Sequence, residues 1–133
     1  PLIVAAPGLR PAVVRTPVEV MDVYPTIVEL AGLPAVADLD AQSLVPLIAH
    51  PDAAARRPAV SYRRVQPPEA GWSIRTPRAR YTLWPDGSEE LYDSRDGGEA
   101  EDLSERPEWA AVKATLRARL GLLVAGTDTL LGQ

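Results

Sequence analysis

The chain has 133 residues, 46% of them hydrophobic, a net charge of −4 and no cysteine. That is enough apolar material for an ordered domain core. The acidic balance and scattered arginines argue against a nucleic-acid partner, and the missing thiols exclude a disulfide framework or a thiolate metal site. The longest apolar runs, such as Leu120 to Ala125, fall far short of the roughly 20 residues needed to span a bilayer, so no membrane partner is expected.

In chain order, Pro1 to Ala6 reads as a continuously apolar strand buried on both faces, closed by the Pro7-Gly8 turn. Such a strand wants neighbours on each side, so the start of the chain reads as the interruption of a larger sheet. Thr16-Pro17-Val18-Glu19 has helix-start chemistry, and Asp22 is a second possible cap. Pro25 would kink a helix begun at Thr16 but fits the first turn of one begun at Asp22, which favours the later start. Gly32 and Pro34 predict a stop at Ala31 or Gly32.

Ser43 is placed to cap a short helix through Leu44, Leu47 and Ile48, ending near His50-Pro51. Composition shifts near residue 58, which divides the chain into residues 1–58 and a C-terminal subdomain, 59–133. In the latter, Ala59 to Tyr62 reads as a strand, Pro67 to Gly71 as a loop, and Trp72 to Thr76, Ala79 to Trp84 and Glu89 to Tyr92 as three further strands. Pro85-Asp86-Gly87-Ser88 is a strong turn signal. The expected arrangement is an antiparallel meander, then a polar loop from Asp93 to Glu105, then a helix over 107–122 with Trp109, Val112, Leu116 and Leu120 on one stripe, covering one sheet face. The tail from Gly126 is expected to fray.

Few residues offer chemistry. The single histidine, His50, reads as a helix-end residue. No serine stands in a nucleophile elbow. Asp93, Asp96, Glu99, Glu101 and Asp102 lack the alternation of a calcium loop and read as a solvated acidic loop, and Gly97-Gly98 reads as a turn. One cluster remains: Trp72, Arg75, Arg78, Arg80 and Trp84. Paired strands can bring guanidinium forks together against a sulfate or phosphate, although arginines on a meander also simply solvate its outer face.

Taken in order, Pro1 to Val4 with Ala6-Pro7-Gly8, Val18 to Thr26, Glu29 to Pro34, Asp40 to Leu44 with Pro46 to Ile48, Trp72 to Thr76 with Arg80 to Trp84, and Glu90 to Asp93 with Glu99 to Leu103 resemble the C-terminal segment of type I sulfatases, of the alkaline-phosphatase-like superfamily. Ser73-Ile74-Arg75-Thr76 followed by Arg80-Tyr81-Thr82-x-Trp84 is most similar to the iduronate-sulfatase-like and bacterial branch. The chain departs from the family pattern at Ala41, Ala79 and Gly97, where Gly, an aromatic and Pro are usual.

The resemblance implies an α/β fold: the last strand and helices of the large sulfatase sheet domain, then a small antiparallel sheet packed by a C-terminal helix. It implies a parent enzyme that hydrolyses sulfate esters, with sulfated sugars as a candidate substrate class, through a formylglycine nucleophile and a calcium ion. None of the catalytic or metal residues matches a position in this chain, so no calcium is expected on it and the chain alone is predicted inactive. Its implied partners are the upstream part of the same sulfatase and the substrate. If residues here touch substrate, they are expected in the 72–84 hairpin, with Arg75 or Arg78 meeting an anionic group and Trp72 or Trp84 a ring face. Two other readings stay open: a phosphonate or phosphodiester hydrolase of the same superfamily, and a freestanding non-catalytic binding module.

Overall fold

A computed structural model of the chain describes residues 1–52, 57–66, 69–95 and 99–125, and the side chains of these except at 65, 66 and 69. The chain divides into two compact units, Pro1–Arg57 and Pro58–Gln133.

In the first unit a single 3-10 turn, Val20–Asp22, leads into helix α1, Val23–Leu30, and a short helix α2 follows at Val45–Ala49. The later helix start is the one observed, because Pro25 sits in the first turn of α1, where its missing N–H is not needed. α1 ends in a Schellman motif. Gly32 adopts φ +67, its N–H donates to the Glu29 carbonyl, and the Leu33 N–H donates to the Val28 carbonyl. At α2 the Ser43 Oγ accepts from the Val45 N–H, and the helix closes at His50.

Asp22 ties these pieces together. One carboxylate oxygen accepts from the Glu19 N–H, the other from the Gln42 N–H and from Arg57, which also pairs with Glu19. Thr26 donates its hydroxyl to the Asp22 carbonyl and accepts from the Leu44 N–H. Asp22 and Thr26 are 5% and 2% exposed, so the polar knot lies inside the unit with its acceptors satisfied.

The expected strand at Pro1 to Ala6 is not formed: these residues have no regular structure, and Leu2 and Ile3 are 49% and 87% exposed. A strand apolar on both faces needs hydrogen-bonded neighbours, and among the described residues this unit contains no other strand to supply them.

The second unit is a four-stranded antiparallel meander of order β1-β2-β3-β4, with β1 Ala59–Gln66, β2 Glu69–Arg75, β3 Ala79–Leu83 and β4 Glu89–Asp93. β1 is longer than expected, and β2 begins at Glu69, so Glu69 to Gly71 extend a strand where a loop was expected. The ladder explains the difference: Arg63 faces Gly71 and Arg64 faces Ala70, so cross-strand pairing overrides the turn-forming composition. The β3–β4 connection is the tight turn read from the sequence, with Gly87 at φ +84.

A 3-10 turn at Pro107–Trp109 opens helix α3, Ala110–Val124, which packs on β2 and β3. Leu116 and Leu120 meet Ile74, Ala79, Tyr81 and Leu91 in the core, flanked by Trp109 and Val112 from the expected stripe. Leu103 enters the same core, drawn in by its N–H bond to the Leu91 carbonyl. The expected fraying from Gly126 and the Gly97-Gly98 turn lie outside the described residues.

Candidate functional site

Strand alternation and the observed register give the sheet two chemically distinct faces. Toward α3 point Val60, Trp72, Ile74, Ala79, Tyr81, Leu83 and Leu91. On this face Tyr81 is fully buried and its hydroxyl donates to Glu89 at 2.5 Å, while Lys113 and Arg117 of α3 pair with the same carboxylate. The hydrogen bond from Tyr81, then the two cations, holds the Glu89 carboxyl below its ordinary range, and burial beside that carboxylate raises the phenol.

The opposite face carries Ser61 and Arg63 from β1, Gly71, Ser73 and Arg75 from β2, Arg80 and Thr82 from β3 with Trp84 just beyond, and Glu90 and Tyr92 from β4. Gly71 is where the indole of Trp84 lies on the strand: a Cβ there would stand 2.6 Å from Cε3 of the ring. The Arg63 guanidinium lies over the same indole, 5.9 Å from the centroid. Toward the other end, Arg75 and Arg80 are direct cross-strand partners. Two like charges so placed repel, and Glu99 offsets this: Arg80 donates to both its carboxylate oxygens at 2.8 and 2.6 Å, and Arg75 approaches at 3.5 Å. Arg80 also lies 4.9 Å from the centroid of Tyr92. Between these two ends, the Thr82 and Ser73 hydroxyls are hydrogen bonded at 3.1 Å.

The four hairpin residues singled out in the sequence do not converge. Arg75 and Trp84 share the outer face but lie at opposite ends of it; Trp84 is four residues from Arg80, Arg75's cross-strand partner, or about 13 Å along a strand. Trp72 is on the helix side, 5.1 Å from the Tyr62 ring and packed on the core. Arg78, at the turn, lies over Trp109, 5.3 Å from the ring centroid. Arg63 and Gly71, absent from the sequence reading of the site, complete the Trp84 end. Alternation alone separates Trp72 from Arg75, but only the β1–β2 register brings Arg63 to Trp84.

The acidic segment is more structural than a solvated loop. Glu99 clamps two arginines, Asp102 accepts from the Leu91 and Ser104 N–H groups, and Asp93 accepts from the Arg95 N–H and side chain, which holds the Asp93 carboxyl at about 2. Asp96 lies outside the described residues.

In the first unit, a groove of about 490 Å³ beside α1 is lined by Pro25, Val28, Leu33, Val36 and Leu39 with the carboxylates of Glu29 and Asp38. Its two acidic residues and the lack of a basic one among the described residues lining it do not favour an anion. Among the described residues no group of three or more His, Cys, Asp or Glu side chains could hold a metal ion, so these residues do not fit the calcium of the resemblance. Among them, no helix is long and apolar enough to cross a membrane.

Comparison with known proteins locates this architecture. No protein-family model matches the chain. It is 32% identical over 134 aligned positions to a Δ4,5-hexuronate-2-O-sulfatase of Bacteroides thetaiotaomicron, an alignment covering 90% of this chain and 27% of that protein. To arylsulfatase K of Danio rerio it is 43% identical over 49 positions, 36% of this chain and 9% of the relative. Its fold matches the solved structure of a 2-O GAG sulfatase with a TM-score of 0.66 at 28% identity, over 78% of this chain and 24% of that one. It also matches a phosphonate monoester hydrolase of Silicibacter pomeroyi with a TM-score of 0.68 at 23% identity, over 96% and 28% of the two chains. The chain thus spans 27% or less of the length of the curated relatives it matches. It is homologous to sulfatases, and its structural neighbours are sulfatases and phosphonate hydrolases of the alkaline-phosphatase-like superfamily.

Proposed function

We propose that this chain is the C-terminal portion of a calcium-dependent, formylglycine sulfatase acting on sulfated sugars, and that it completes the fold and helps shape the substrate pocket. The observation that carries this reading is the 32% identity to a hexuronate-2-O-sulfatase across 90% of the chain. The 2-O GAG sulfatase structure, at 28% identity, supports the same class. Residues 1–58 close the large domain in this reading, and residues 59–133 are the subdomain that meets substrate. In this reading the outer sheet face is the candidate surface, with Arg75, which Glu99 also approaches, proposed for an anionic group and Trp84 for a ring, whereas Trp72 and Arg78 pack toward the helix side. No step of the reaction is assigned to residues of this chain.

The test is a peptide map of the native protein combined with an assay of the full-length product. A Cys/Ser-x-Pro-x-Arg peptide carrying formylglycine, with hydrolysis of sulfate esters, is the expected result. A native product that begins at Pro1 and travels alone would overturn it and leave a non-catalytic module.

The phosphonate hydrolase reading has one observation in its favour, the fold match over 96% of the chain. Hydrolysis of phosphonate monoesters in preference to sulfate esters in the same assay would establish it. Sequence identity favours the sulfatase.

A further inference from the structure

Within the second unit most arginines are already engaged. Arg75 and Arg80 share Glu99, Arg95 pairs with Asp93, Arg106 with Glu101 and Arg117 with Glu89. Arg63 is exposed, pairs with no carboxylate among the described side chains, and lies over the Trp84 indole. A guanidinium above a ring keeps its in-plane N–H fork available, the geometry that accepts an oxyanion through two parallel hydrogen bonds.

The indole is held rather than loose. Its six-membered ring rests on the bare backbone of Gly71, where a side chain would collide with it. Arg63 and Gly71 are direct cross-strand partners, so the register that brings the indole onto Gly71 also places Arg63 beside it. Hydroxyls continue from this end, since Ser61, two residues before Arg63 on the same face, pairs across the strands with Ser73. A seated aromatic ring, an exposed cation and the nearby Ser61 hydroxyl suit an anionic sugar: C–H groups on the indole, an oxyanion on the fork, a ring hydroxyl on Ser61. Preorganisation reduces the ordering cost of binding.

We infer that Arg63 and Trp84 form a subsite for an anionic sugar, the guanidinium taking a sulfate or carboxylate and the indole taking the C–H face of the pyranose. The inference rests on the sulfatase reading for its substrate class and adds Arg63, which that reading did not contain.

The experiment uses the full-length protein with a sulfated, uronate-containing disaccharide and a neutral aryl sulfate as alternative substrates. Arg63→Gln lowers the ratio of kcat/KM for the disaccharide to that for the aryl sulfate by about tenfold, through KM, the size expected for one lost charge-assisted contact. Arg63→Lys recovers part of the loss, and Trp84→Leu lowers the same ratio. Arg119→Gln, on the exposed side of α3, leaves it unchanged. If the penalty vanishes on a disaccharide whose carboxyl is reduced to an alcohol, the oxyanion is the carboxylate; if it persists, it is the sulfate. A ratio in Arg63→Gln equal to that in Arg119→Gln overturns the subsite.

Calorimetric titration of the same disaccharide separates this inference from the reading beneath it. If the protein hydrolyses no sulfate ester, that reading fails. Weaker binding by Arg63→Gln than by Arg119→Gln would then still uphold the subsite, and equal binding would overturn it.

Discussion

The six-membered ring of Trp84 rests on Gly71 so closely that a Cβ at position 71 would stand 2.6 and 2.8 Å from its Cε3 and Cζ3 atoms. The glycine is needed here for its missing side chain and not for an unusual backbone angle, since Gly71 lies within a paired strand. Gly71→Ala is therefore expected to push the indole off the sheet and cost about 1–3 kcal/mol, the range for overpacking. Urea denaturation with tryptophan fluorescence checks it; unchanged stability and unchanged emission would show that the ring is not seated there.

Asp22 accepts from two backbone N–H groups and from Arg57 while 5% exposed. Asp22→Ala leaves those donors without their acceptor inside the first unit. Breaking a buried pair costs roughly 3–5 kcal/mol, and since Arg57 stays partly exposed, about 3 kcal/mol is expected. Asp22→Asn should cost less, because the amide oxygen still accepts one N–H. Chemical denaturation of the full-length variants decides; equal losses for the two would contradict a role based on acceptor count and charge.

Leu120 is 2% exposed at the centre of the contact between α3 and the sheet. Leu120→Ala should cost about 2–5 kcal/mol, because the surrounding strands cannot collapse into the space left. Leu122, 83% exposed on the same helix, should tolerate alanine within about 0.5 kcal/mol. Comparing the two by thermal and urea unfolding tests whether α3 packs in the observed phase.

Asp93 has its carboxyl held at about 2, against an ordinary 3.8, by hydrogen bonds from the Arg95 side chain and N–H. A pKa depressed in the folded state contributes stability that is fully present above the unfolded value and is lost as pH falls through the folded one. The contribution should be constant above about pH 5, decline from there, and be gone near pH 1. NMR titration of the Asp93 carboxyl should find a midpoint near 2 that rises in Arg95→Gln; a midpoint near 3.8 in the native protein would contradict the pairing.

Part of the molecule was legible because its instructions are local. Gly32 stops α1 and Gly87 turns the β3–β4 hairpin through backbone angles that glycine adopts readily. The spacing of Trp109, Val112, Leu116 and Leu120 marks the buried stripe of α3 without reference to any other segment. Misreadings arose where a distant partner decides. Glu69 to Gly71 look like a loop until β1 is laid beside them, and Pro1 to Ala6 look like a strand although none is described in their unit to pair with them.

By itself, then, the sequence determined the order of the second unit's strands, its turns and its helix, together with the likeness to sulfatases. Only the tertiary structure decided which side chains meet: Asp22 with Arg57 across 35 positions, Arg75 and Arg80 with Glu99 across 24 and 19, and Arg63 with the indole that Gly71 admits. The physical reason is register. Because side chains alternate along a strand, a shift of one residue would send Arg63 to the other face, and that choice is made by the whole ladder and the core beneath it.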